Sequence, residues 1–113
     1  MSETSEITAP LVKMIRKMGV LCLRMNSGIV KKGNRFIHLH EPGTADILAF
    51  PNLYRHIEGR VVWLEVKLPT GRTQKDRAEL QERFRQTVLA LGHEHYRITS
   101  IDEGIKAIKG GHL

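Results

Sequence analysis

Glu65 and Lys67 stand two residues apart in the run Val61-Val62-Trp63-Leu64-Glu65-Val66-Lys67-Leu68, whose β-branched and aromatic content predicts a strand. Strand side chains alternate between faces, so this spacing directs both charges to one face and Val66 to the other. Charges in an otherwise apolar strand mark either the solvated face of an edge strand or a place where charge has a partner or a task. Asp46 lies 19 residues upstream of Glu65 and opens a second predicted strand, Ala45 to Phe50, just after the Glu41-Pro42-Gly43-Thr44 loop. If the two strands are neighbours, Asp46 and Glu65 converge at one end of the sheet. Two carboxylates there form a hard oxygen site suited to Mg²⁺ or Mn²⁺. A lysine beside them would orient or help deprotonate an attacking water and offset charge on a phosphate.

The flanking sequence supplies elements to hold such a site. Ile7, Leu11, Met14, Ile15 and Met18 recur at helical spacing and Gly19 is a stop. Pro10 is comfortable only in a first turn, which makes Thr8 the expected N-cap and Ser5 the alternative. Val20 to Met25 reads as a strand and Asn26-Ser27-Gly28 as a turn. Ile29-Val30 and Phe36 to Leu39 flank Lys31-Lys32-Gly33-Asn34, which predicts a hairpin with a basic tip. Pro51 to Gly59 reads as irregular. Thr73 to Leu91 is a long predicted helix with Ala78, Phe84, Val88 and Leu91 on one side and Gly92 ending it. A last strand, His95 to Ile98, precedes a capping box, Ser100-x-x-Glu103, that opens a short helix through Ile105 and Ile108. The predicted fold is therefore a single domain over residues 1–113. It is an α/β (α+β) sandwich in which a mixed β-sheet is flanked by helices.

The chain has 113 residues and is 41% hydrophobic, enough for a core. Its 18 Lys and Arg against 12 Asp and Glu give a net charge of +6, which favours a polyanionic partner; the plainer reading is a soluble basic protein. Lys31, Lys32, Arg35 and Arg72 are the foremost candidates for phosphate contacts. Cys22 is the single cysteine, so neither an internal disulfide nor a CxxC zinc site is available. Met1 to Pro10 is polar and no apolar run approaches a spanning length, so a reducing cytoplasm is expected and a membrane is not. The histidines His38, His40, His56, His93 and His95 lack zinc-helix spacing and no Ser or Cys triad accompanies them, which leaves surface or supporting roles. His40 falls close to Asp46 in sequence.

Gly43-x-x-Asp46, Glu65-Val66-Lys67, Gly71-Arg72 and a glutamine-bearing helix ending in Gly92 together resemble the PD-(D/E)XK nuclease superfamily. More narrowly, with Asn26-Ser27-Gly28 and the Ser100-x-x-Glu103 ending, nearly the whole chain resembles the virus-type replication-repair nuclease (VRR-NUC) domain. That resemblance implies a restriction-endonuclease-like sheet and metal ligands at Asp46, Glu65 and the main-chain carbonyl of Val66. It also implies a catalytic role for Lys67, and a first-helix glutamate, at Glu6 or else Glu3, as a further ligand. It implies a helix glutamine as well. Gln81 is the preferred position, because it falls among Ala78, Phe84 and Val88, and Gln74 is the alternative. The expected activity is a Mg²⁺- or Mn²⁺-dependent DNA endonuclease, acting as a homodimer on branched DNA such as four-way junctions, with a phage or prophage origin. The rival expectation is a non-catalytic nucleic-acid-binding module on the same kind of fold.

Overall fold

A computed structural model describes residues 4–25, 29–38, 43–51, 59–69 and 75–110. A π-helical turn, Thr4–Thr8, runs directly into α1 (Ala9–Lys17). There follow β1 (Leu21–Arg24), β2 (Ile29–Lys32), β3 (Arg35–His38), β4 (Ile47–Phe50), β5 (Val62–Val66), α2 (Lys75–Ala90), β6 (Glu94–Ile98) and α3 (Ile101–Ile108). Four strands form a mixed sheet in the order β1-β4-β5-β6, antiparallel except for the parallel β5–β6 pair. β2 and β3 form a separate antiparallel hairpin. The predicted α+β architecture, a mixed sheet flanked by helices, is the one observed.

Period-two alternation along β4 and β5 explains the layering. Ile47 and Ala49 on β4, with Val62, Leu64 and Val66 on β5, are buried on one face. Leu11 and Ile15 of α1 and Ala107 and Ile108 of α3 complete that core. Burying a Leu or Ile side chain contributes about 1.5–3 kcal/mol, so this face carries most of the hydrophobic stabilisation. α1 and α3 approach closely because Gly104 has no side chain: a Cβ there would lie 2.5 Å from Cδ2 of Leu11. α2 covers the opposite face, where Phe84 meets Trp63 edge-on at 4.9 Å between ring centroids. Among the described residues no helix is long and apolar enough to cross a membrane.

Several local expectations change. Thr8 is not an N-cap: its backbone is already helical (φ −59°, ψ −54°) and its side chain makes no capping bond. The helical path begins at Thr4, so Thr8 is an interior residue and is buried. The hairpin loop is Gly33-Asn34 alone, with Gly33 at φ 63°, which places Lys31 and Lys32 in β2 rather than at the tip. A two-residue loop needs a left-handed residue, and glycine supplies it. Leu91 does not join the covered side of α2; it is 68% exposed beyond the helix end. Gly19 (φ 82°) and Gly92 (φ 85°) do terminate their helices. Ser100 Oγ accepts the Glu103 N–H at 3.1 Å, while the Glu103 carboxylate reaches back to the N–H and hydroxyl of Thr99 rather than to Ser100 itself. The Asn26-Ser27-Gly28 turn lies outside the described residues.

Arg60, just before β5, ties the sheet to α3. Its Nε and Nη2 donate to the two oxygens of Glu94 at 2.7 and 2.9 Å, and its Nη1 and Nη2 donate to the carbonyls of Ile108 and Ala107. Those carbonyls are among the last of α3, where Ala107 also accepts the Gly110 N–H at 3.1 Å, so a fixed cation there meets the negative end of the helix dipole. The Tyr96 hydroxyl donates to the same Glu94 carboxylate at 2.6 Å. The Arg60 side chain is only 9% exposed, so removing it takes four hydrogen bonds from part-buried acceptors. Arg60→Met should lower the unfolding free energy by about 2–4 kcal/mol in denaturant titrations. Arg60→Lys should recover little, because an ammonium cannot reproduce the fork. Wild-type stability in Arg60→Met would refute this account.

Candidate functional site

Asp46 occupies the bend immediately ahead of β4, one residue earlier than a strand start. Its main-chain carbonyl accepts the Met25 N–H at 2.7 Å, continuing the β1–β4 ladder. Its side-chain Oδ2 accepts the Val66 N–H at 2.8 Å. One residue therefore joins the ends of three strands and brings its carboxylate to the end of β5 that carries Glu65. Glu65 is 3% exposed, and its Oε1 is buried without a hydrogen-bond partner. The expected convergence of the two carboxyl groups is present.

The electrostatics follow from that placement. Burial pushes the Glu65 carboxyl well above its ordinary range. The hydrogen-bonding and negative charge of Asp46 add to the rise, while Lys67 and Arg77 oppose it. Buried beside Asp46, Glu65 does not ionise readily, and a proton or a cation relieves it. Lys67 lies just past β5, where its N–H donates to the Ile98 carbonyl at 2.9 Å and so continues the strand path. Its charge acts on Glu65, in keeping with their shared face.

α2 forms the other wall. Gly43 adopts φ 92°, and a Cβ there would come within 2.6 Å of the Leu80 main-chain carbon and oxygen. The loop ahead of Asp46 thus packs directly on the backbone of α2, and only glycine satisfies both the dihedral and the contact. The next residue, Gln81, is 4% exposed, as the apolar company of that helix position implied. Arg77, one helical turn before Gln81, was not anticipated from sequence. Its signal there was only the four-residue spacing to Gln81 on one helix face.

Other expected residues are not assembled here. Glu6 is exposed in the turn ahead of α1. Among the described residues no three His, Cys, Asp or Glu side chains gather into one group, so Glu6 does not join Asp46 and Glu65. The reason is helical phase: Ile7 and Thr8 take the inward positions, and Glu6 is left to solvent. Glu3, His40, Arg72 and Gln74 fall outside the described residues, as do the side chains of Lys31, Lys32 and Arg35. His95 is not a surface residue. It lies under α2 opposite Trp63, 6.2 Å from the Phe84 ring, with both ring nitrogens buried and unpartnered. Burial, with Arg85 and Arg97 nearby, pushes its pKa down to about 4, so it is neutral packing material. His93 accepts the Trp63 indole N–H at 3.1 Å.

Comparison of the chain with family models, with curated proteins and with solved structures gave no match. The chemical reading therefore rests on the residues themselves.

The raised Glu65 carboxyl has a sign-definite consequence. Its folded pKa exceeds the ordinary value of 4.5, so the folded state holds the proton more tightly. The stability this contributes is fully present below the ordinary value and is lost as pH rises through the raised one. In the presence of a chelator, wild type should lose stability relative to Glu65→Gln as pH climbs from about 5 to 9. Urea titrations of the pair across that range measure it, and a pH-independent difference would show that Glu65 is not the strained acid described here.

Proposed function

We propose that this chain is a Mg²⁺- or Mn²⁺-dependent nuclease that hydrolyses phosphodiester bonds in DNA. The observation that carries the reading is the pairing of Asp46 with buried Glu65, whose Oε1 has no partner. A buried carboxylate oxygen left unsatisfied is costly for stability alone and is what a hard cation requires. Asp46, Glu65 and the Val66 carbonyl are the groups that would hold such an ion. Bound there, a divalent cation supplies charge neutralisation at the phosphate and acidifies a water.

The protein's own residues supply the rest. Lys67 and Arg77 place positive charge on the Glu65 side of the pair, where a phosphodiester would need it. Lys67 would donate to and orient the attacking water and offset the charge that develops at the phosphate. Gln81 lends a buried amide to the wall beside the Gly43 loop. Resemblance to stand-alone VRR-NUC domains supports the finer proposals of an endonuclease on branched DNA, a homodimer and a phage origin. In such a dimer, two-fold symmetry would set two sites on two strands.

Asp46→Asn should abolish cleavage of junction and duplex DNA, as should excess chelator, while the fold is retained by circular dichroism. Persistent cleavage in either case would end the metal-dependent reading and leave the non-catalytic binding module. Lys67→Met keeps much of the apolar stem, so metal and DNA affinity should survive. Single-turnover cleavage should fall by about 10²–10³-fold, the scale of one lost donor to developing charge. Unchanged turnover would make Lys67 a bystander.

A further inference from the structure

The positive charge of the chain is not spread evenly. Residues 7–40 contain seven Lys and Arg and no Asp or Glu, leaving eleven cations against twelve acids in all the rest. Part of this charge lines a groove of about 600 Å³ between α1 and β1, with Ala9 and Val12 on its floor and Lys13, Arg16, Lys17 and Arg24 around it. All four cations are exposed, and none is in an ion pair among the described residues. Lys13, Arg16 and Lys17 share one helix face at three- and four-residue spacing. Like charges so placed destabilise a helix. A helix that tolerates them without acidic partners is poised for an outside anion.

The groove is also built rather than accidental. The Met25-to-Asp46 bond sets the ladder so that the N–H and C=O of Cys22 and Arg24 point to the free edge of β1. Nε and Nη2 of Arg16 both donate to the Cys22 carbonyl at that edge, at 3.2 and 3.1 Å, which fixes the guanidinium against the strand. The far end of the groove reaches Arg24, which pairs with Ile47, the residue after Asp46. β1 lies two strands from β5, on the order of 10 Å at usual strand spacing. Arg24 shares the sheet face of Ile47 and Leu64, opposite to that of Glu65, so a backbone leaving the groove would reach the carboxylate pair by passing round the end of the sheet at Met25 and Asp46.

We propose that this α1–β1 groove binds the phosphodiester backbone of nucleic acid flanking the cleaved bond, and the identity of the polymer rests on the nuclease reading above. The phosphates would be held by Lys13, Lys17, Arg16 and Arg24 as a positioning surface outside the chemical centre. Counterion release makes such contacts visible as a salt dependence of about −0.9 in log affinity per phosphate.

The test measures binding of the full chain to a DNA duplex in chelator, so that no cleavage intervenes, over a range of salt. Lys13→Gln/Lys17→Gln should bind about tenfold more weakly near physiological salt and reduce the steepness of the salt slope by up to about two. Glutamine is a good helix former, so the fold should persist. Lys106→Gln/Lys109→Gln removes the same charge from exposed positions at the end of α3 and should change little. Equal losses from both pairs, or no loss from the groove pair, would overturn the proposal, as would failure of wild type to bind DNA at all. Cleavage by Asp46→Asn, measured in parallel, reports on the active-site reading alone. If that variant still cuts while the groove pair loses binding, the groove stands and the chemical assignment falls.

Discussion

The hydrogen bond from the Val66 N–H to Oδ2 of Asp46 fixes the position of everything at this end of the sheet. Asp46 lies before β4, and its main chain already belongs to the β1–β4 ladder through Met25. By reaching across to β5 with its side chain, it draws the end of a third strand into the same place. Glu65 is the residue before Val66, so it is held beside Asp46 whether or not that is electrostatically comfortable. The discomfort is real, since burial and a neighbouring carboxylate both push the Glu65 carboxyl up. A fold selected only for stability has cheaper ways to finish a strand. Retaining two acids here is explicable if the apo site is the strained member of a bound and unbound pair.

The two faces of β5 show how that strain is tolerated. Val62, Leu64 and Val66 are fully buried against α1 and α3, and their packing stabilises the strand independently of what the other face does. On that other face, Trp63 packs on Phe84 and His93, and Glu65 comes two residues later. α2 accordingly needs little apolar surface: Val88 and Gln81 are its buried residues. α2 thus covers an aromatic layer through Phe84 and, toward its start, brings Arg77 to act on Glu65 and the Leu80 backbone against the Gly43 loop.

The parts of this arrangement legible in sequence were those encoded locally. The period-two run around Glu65 gave β5 and the shared face of Glu65 and Lys67. Gly19, Gly92 and Ser100 marked helix ends because left-handed backbone and side-chain capping are one-residue requirements. Convergence of Asp46 with Glu65 needed one further assumption, that their strands are adjacent, and β4 and β5 do pair. What was not legible depends on long-range contact. The helical path from Thr4 turned Thr8 inward and Glu6 outward, against a capping rule that looks only at neighbours. Arg60 reads as an ordinary surface cation until α3 presents its terminal carbonyls. The need for glycine at position 43 appears only when the Leu80 backbone is seen against it.

Charge placement connects these observations. A phosphodiester approaching Asp46 and Glu65 approaches two acids, and among the described residues Lys67 and Arg77 act on Glu65 with positive charge. If all attraction had to come from the centre, cations dense enough to provide it would also depress the Glu65 carboxyl and form fixed ion pairs with it, filling the place a divalent ion would take. Putting unpaired cations on α1 and the free edge of β1 separates the two demands. Surface charges several ångströms from one another are screened by salt and scarcely perturb a buried carboxyl two strands away. They still sum over a polymer that carries a charge at every step. Under the proposed function, affinity would be gathered along the edge of the sheet, and the buried pair would be left free to bind its cation.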